Sequence, residues 1–409
     1  MTVIIFILIL SVLVFVHELG HFLAAKKAGV AVEEFGFGYP PRAISLGKRW
    51  GTLFSINWIP FGGFVKILGE NYEEGEEAGS QSRETEKSLA SLTEASTRNF
   101  SAEKYPWTFQ LSTNENQPSS KKESFARKNF RFTEVSKKWQ AAILAAGVTF
   151  NIIFAWMLFS LSFLIGVPAP LENDFGGRVE NVATTIVSVL EDSPASLAGL
   201  KTGDKIVEVK DQNYSFKNPT TEQVSGLINT AEGLVGMKVE RGSEVFDLEI
   251  EPNTNLVEGK KAIGISMDTV GTLKLPIHKA LYQGGRATLT ITYLTVSGTL
   301  GLIKDAFMGQ ADVSQVSGPV GIVGLVGDAS RLGFSYLVTF TALISINLAV
   351  INLLPFPALD GGRLVFVGVE AITRRPINKK FAEYTNVAGF FILIALMLFV
   401  TYRDILKLI

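Results

Sequence analysis

The chain has 409 residues, with 38 Lys and Arg against 39 Asp and Glu and a formal net charge of −1, so no basic footprint for nucleic acid is present. Hydrophobic residues make up 47% and mean hydropathy is +0.27, more apolar than a soluble globular chain. There is no cysteine, which excludes disulfides, thiolate zinc sites and cysteine nucleophiles, and the three histidines are His17, His21 and His278.

Val3 to Phe15 is unbroken apolar sequence apart from Ser11, and the apolar character resumes after His17, Glu18 and His21 as far as Ala25. At 1.5 Å per residue this run spans roughly 35 Å as a helix, enough for a bilayer core. A cleaved signal peptide fits badly, because no basic region precedes the run and no small-residue cleavage site precedes Lys26 and Lys27. Within the run, His17-Glu18-Leu19-Gly20-His21 is an H-E-x-x-H pattern. Residues i and i+4 share a helix face, so both imidazoles can bind one zinc ion, with Glu18 beside them to take a proton from a water held there. Two histidines paired with neighbouring helices are the plainer alternative, but ionisable groups in an apolar helix are costly without partners.

Residues 36–67 contain glycines, Pro40, Pro41 and β-rich runs such as Thr52–Ile59, with turn chemistry at Phe61-Gly62-Gly63. This predicts a small sheet, which could enter a membrane only by lining a protein cavity. Residues 71–130 are dominated by Glu, Ser, Lys, Thr and Asn and read as a largely disordered cytoplasmic insertion, with Tyr105-Pro106-Trp107 either a docking motif or plain linker.

Ala141–Val167 is a second span, Leu337–Leu354 a third and Val387–Val400 the centre of a fourth. Basic residues cluster after span one, before span two (Lys121 to Lys138) and between spans three and four (Arg374, Arg375, Lys379, Lys380). With four spans and both termini outside, all three clusters share the cytoplasmic side. Ala287–Ile303 is apolar but short and rich in Thr and Gly, and reads as an amphipathic interfacial helix rather than a fifth span. Residues 177–270 read as a soluble domain: a strand at Thr184–Leu190, a short helix opened by Ser193-Pro194 and closed by Gly199, a strand at Lys205–Val209, and a hairpin at Val239–Ile250. Gly318 to Gly324 is glycine-rich but lacks a following Gly-Lys-Ser/Thr, which favours packing or a bend over a phosphate loop.

A catalytic zinc needs a third protein ligand. His278 lies in the extracytoplasmic region, and Asp360 stands out in Asn352-Leu353-Leu354-Pro355-Phe356-Pro357-Ala358-Leu359-Asp360-Gly361-Gly362, although by itself it reads as a solvated loop aspartate. If Asp360 is to reach the histidines, spans one and three must run the same way, which again keeps 287–303 from crossing.

Taken together, HELGH, FGFGYPPRAI, NWIPFGGFVKILGE, Ala145-Ala146-Gly147 with Asn151, SPASLAGLKTGDKI, SGPVGIVG and NLLPFPALDGGR resemble the site-two protease family of intramembrane metalloproteases, specifically its bacterial regulators of sigma-factor signalling. The resemblance implies His17, His21 and Asp360 as ligands of Zn2+, Glu18 as general base, and Asn352 as a residue holding substrate backbone or the transition state. It implies a polytopic α-helical membrane protein with four transmembrane helices, a membrane-associated β region and an extracytoplasmic PDZ (α+β) domain. The expected segments are 1–35 (first transmembrane helix), 36–70 (β region), 71–138 (insertion), 139–168 (second helix), 177–270 (PDZ domain), 280–333 (amphipathic interfacial and glycine-rich segment), 334–365 (third helix with the LDG motif) and 385–403 (fourth helix). It further implies a bacterial inner-membrane protease that cleaves transmembrane segments of single-span proteins, such as anti-sigma factors or signal-peptide remnants, after an upstream extracytoplasmic protease. Val148 stands where the family often has proline, and a single PDZ domain and the long insertion are further departures. A catalytically silent PDZ scaffold has no need of Glu18, and a metal transporter needs more polar residues than spans two and four carry.

Overall fold

The computed structural model describes residues 1–70, 130–170, 177–242, 244–257, 260–310 and 317–407. Residues 71–129 of the expected insertion, with the Tyr105-Pro106-Trp107 motif, lie outside them. Among the described residues, four helices are long and apolar enough to cross a membrane: α1 (Thr2–Ala28), α2 (Lys137–Ile165), α7 (Phe334–Leu353) and α9 (Lys379–Leu406). Each is apolar over most of its surface, as expected where one side meets protein and the other lipid, with polar exceptions such as His17, Glu18 and His21 on α1 and Asn151 on α2.

Between α1 and α2 the chain forms two long strands, β1 (Val32–Arg49) and β2 (Thr52–Ile67), each bent back on itself. Phe35 pairs with both Val65 and Phe54, and Ile56 pairs with both Phe37 and Ile44. The result is a coiled four-segment sheet in the order 63–67, 32–37, 53–57, 42–49. It packs on α1 through Phe15, Phe22, Phe35 and Phe54, with Phe22 and Phe35 ring centroids 4.9 Å apart. Its two ends are fixed to α1 at Ser11, whose hydroxyl donates to the Pro60 carbonyl (2.6 Å), and at Lys26, whose ammonium donates to the Trp50 carbonyl (3.0 Å). The sheet therefore runs beside roughly 22 Å of helix. Residues 130–138 are ordered rather than part of a loose linker: Phe130 bridges Val30, and Phe132 is buried beneath the sheet.

From the end of α2 the chain enters an antiparallel sheet domain that is wider than the sequence suggests. Strands β3 (Val167–Pro170), β4 (Arg178–Val189), β5 (Lys205–Lys210), β6 (Ser215–Lys217), β7 (Val235–Arg241), β8 (Glu244–Ile250) and β11 (Ile265–Lys274) form one sheet in the order β3-β11-β4-β5-β7-β8, with β6 beside β5. Strands β9 (Asn253–Val257) and β10 (Lys260–Ala262) pair separately. Helix α3 (Pro194–Leu197) is capped by Ser193, and α4 (Thr221–Thr230) by a reciprocal Thr220–Gln223 capping box. Ile186, Ile206, Val209, Val224, Met237, Val239 and Ile250 form its core. Beneath them Asp204, fully buried, holds Arg241 through two 2.6 Å contacts, and this hydrogen bonding raises the guanidinium above its ordinary pKa.

Helix α5 (Ile277–Phe307) begins ten residues before the expected interfacial segment and runs for 31 residues, packing Gly284 against Ser160 and Ala287 and Ile291 into the α2–α7 cluster. The glycine-rich stretch is itself helical, as α6 (Pro319–Leu332). Its Gly321 N–H donates to buried Asp404 of α9 (2.7 Å), and Val326 packs on Ile9 and Leu13 of α1. The expected third segment, 334–365, is not one helix. Pro355 and Pro357 end α7 at Leu353, and a new helix, α8 (Asp360–Thr373), starts at Asp360 itself.

Removing one partner of a buried ion pair strands the other, so Asp204→Ala should weaken the sheet domain by about 3 kcal/mol. Hydrogen exchange in β5 and β7 should accelerate while α1 and α2 keep their protection.

Candidate metal centre

His17 and His21 leave the same face of α1 one helical turn apart, and both are buried. That face meets α2 at unusually short range because both helices carry glycine there. A Cβ on Gly20 would stand 2.5 Å from the Ala146 carbonyl, and one on Gly147 would stand 2.4 Å from His21 Nε2 and 2.7 Å from His17 Nε2. The break after α7 brings Asp360 to the same point across 343 positions of sequence. Asp360 Oδ2 lies 2.9 Å from His17 Nε2 and 3.2 Å from His21 Nε2, and the two Nε2 atoms are 3.2 Å apart.

This spacing fits a metal ion better than it fits a set of hydrogen bonds. Ligand atoms about 2.0 Å from a tetrahedral zinc stand about 3.3 Å from one another. The outer nitrogens agree. His21 Nδ1 donates to the Ile143 carbonyl (2.8 Å), which leaves its Nε2 lone pair free to bind. His17 Nδ1 faces the Asn151 side-chain amide at 3.3 Å, while the Asn151 Oδ1 atom is buried without a partner. If His17 binds through Nε2, its Nδ1 carries the proton, and the amide oxygen of Asn151 is the group that belongs opposite it. Asn151 is itself held by α7, since Ser345 donates to its backbone carbonyl (2.8 Å). Two histidines and one carboxylate suit zinc, and among the described residues no other group of three such side chains converges.

Glu18 is half-buried beside the cluster, with the backbone of Val65 within hydrogen-bonding reach of its carboxylate and its Cγ 3.8 Å from where a Cβ on Gly63 would lie. The base candidate thus faces segment 63–67, an outer segment of the sheet. Asn352 is half-buried on the last turn of α7, eight positions before Asp360, and its side chain makes no hydrogen bond among the described residues. His278 is exposed on the first turn of α5 and takes no part in the cluster. Asn151 and Gly147 carry part of the family resemblance, but the sequence alone assigns them no role at the site. Their signal is only that an asparagine in an apolar span needs a partner.

Removing a side chain that orients a metal-binding histidine typically costs 10–100-fold in affinity, so Asn151→Ala should raise the zinc dissociation constant by about that factor. Gly147→Ala places a methyl group in the space between the imidazoles, and the purified variant should retain little zinc at neutral pH.

Comparison with known proteins agrees with this geometry. The sequence model of peptidase family M50 matches residues 5–396. The chain is 31% identical over 446 residues to the zinc metalloprotease RasP of Oceanobacillus iheyensis, covering 100% of this chain and 99% of that protein. It is 30% identical over 446 residues to the regulator of sigma-W protease RasP of Bacillus subtilis, again covering 100% and 99%. The chain therefore belongs to peptidase family M50, the site-two proteases, and is a zinc metalloprotease.

Proposed function

We propose that this protease hydrolyses peptide bonds inside the membrane-spanning segments of single-span membrane proteins, anti-sigma factors or signal-peptide remnants among them, after an extracytoplasmic protease has made a first cut. The observation that carries the proposal is the position of the metal-binding cluster. It sits within α1, one of the four candidate spans, seven to eleven residues before that helix ends at Ala28. This is roughly 10–17 Å along the axis, inside the apolar layer and nearer the α1 C-terminal side. Basic residues in the last turn of α1 (Lys26, Lys27), in the first turn of α2 (Lys137, Lys138) and between α8 and α9 (Arg374, Arg375) favour a cytoplasmic location for that side. The sheet domain after α2 is then extracytoplasmic, as are both termini, and it serves as a PDZ-type module that selects trimmed substrates.

In this reading His17, His21 and Asp360 hold zinc, which supplies Lewis acidity and lowers the pKa of water. Ile143 and Asn151 hold the imidazoles with their inner nitrogens bare, so that the ligand set does not reorganise during turnover. Glu18 takes a proton from the attacking water and returns it to the leaving amine. Asn352 binds substrate backbone near the site. A substrate helix must unwind first, because its carbonyls are already bonded. Segment 63–67 offers the unwound strand an edge beside Glu18, and pairing there holds the scissile bond against the base by β-augmentation. Ile56, in contrast, is paired on both sides, so a proline there disrupts the sheet rather than the substrate edge.

Two measurements test this. Glu18→Gln in full-length protein should retain zinc and lose cleavage of a single-span substrate by about 10²–10⁴-fold; cleavage equal to that of the unaltered chain would remove Glu18 from the mechanism. A photo-crosslinking residue at Phe64 should capture that substrate in the Glu18→Gln background, whereas the same residue at Leu46, on the opposite edge, should not. Equal capture at both positions would contradict addition at 63–67.

A further inference from the structure

The proteolytic reading uses the inner edge of the coiled sheet and leaves its other end unexplained. The turn joining β1 to β2 carries Lys48, Arg49 and Trp50, and lies against Lys26 in the last turn of α1, which also carries Lys27. Lys26 ties the turn to the helix through the Trp50 carbonyl, and the Arg49 guanidinium stacks 4.7 Å over the Trp50 ring. Among the described residues, Lys27, Lys48 and Arg49 form no ion pair with a carboxylate. The acids of segment 32–37 are already engaged, Glu34 by Arg42 and Glu33 by Lys66. Trp50 is 68% exposed, and Leu46 and Ile44, farther along the same outer segment, are 63% and 57% exposed. Aliphatic side chains followed by an aromatic ring and then by unpaired cations form the profile of a segment that crosses from acyl chains into headgroups.

We propose that this turn is an anchor for the anionic phospholipid headgroups of the leaflet at which α1 ends. Lys48, Arg49 and Lys27 bind the phosphates, Trp50 sits at the headgroup boundary, and Leu46 and Ile44 enter the acyl region. The inference rests on the membrane-embedded reading of the sheet but not on its proteolytic role. It gives the bilayer a hold on the same sheet whose segment 63–67 faces Glu18, so lipid composition sets how firmly that sheet is seated. Each cation near an anionic surface contributes about fivefold in association.

The natural chain has no cysteine, so Leu46→Cys supplies one labelling site for an environment-sensitive fluorophore. The labelled full-length protein is placed in nanodiscs of phosphatidylcholine alone or mixed with phosphatidylglycerol. The proposal predicts a blue shift and greater protection from an aqueous quencher when phosphatidylglycerol is present, and reversal by high salt. Adding Lys48→Gln and Arg49→Gln should reduce the response at least tenfold with zinc content unchanged, whereas Arg374→Gln with Arg375→Gln should leave it intact. Identical emission in both lipids, or a response that survives loss of Lys48 and Arg49, would overturn it. Because the readout needs no substrate, its failure is distinct from failure of the proteolytic reading.

Discussion

Ionisable groups within an apolar layer are the constraint around which this protein is built. His17, Glu18, His21 and Asp360 would each be costly on a lipid-facing helix, and they are tolerable only when they converge on partners. A shared zinc ion would satisfy three of them at once, because each offers a single atom at the mutual spacing of about 3 Å that a tetrahedral ion requires. The glycines at the α1–α2 contact, the proline-broken end of α7 and the carbonyl and amide behind the imidazoles all serve that convergence.

The same constraint explains why a β-sheet accompanies a bundle of membrane helices. Strands with open edges are not stable against hydrocarbon, so a sheet here must be sheltered by protein or lie beside a hydrated cavity. Its aromatic face is closed against α1, while segment 63–67 faces the carboxylate of Glu18. In the proposed reading, the outer strand edge at 63–67 is where an unwound substrate would recover its backbone hydrogen bonds.

Much of this was legible from the chain alone. The i, i+4 spacing of His17 and His21 on a long apolar run points to both a helix and a shared face, and Asp360 is conspicuous because carboxylates near the spans are few. What could not be read is the consequence of close packing. Gly147 looks like any small residue until α2 lies against α1, and Asn151 looks like a tolerated polar residue until His17 needs an acceptor behind it. The order of the sheet segments was hidden as well, because bulged pairing on both sides of 32–37 places 63–67 rather than 52–59 at an edge. Helix α5 exceeded its apolar stretch because its polar first turns are stabilised by packing on α2, as at Gly284 against Ser160, and not by composition.

The central claim is that one zinc ion is held by two imidazoles of the first helix and one carboxylate more than three hundred residues away. X-ray absorption at the zinc edge of the purified full-length chain tests it most directly. The account predicts nitrogen and oxygen neighbours at about 2.0–2.1 Å with multiple scattering from two imidazoles, and one imidazole fewer in His21→Ala. A spectrum requiring three imidazoles, or one unchanged by loss of His21, would place the metal elsewhere and contradict the site described here.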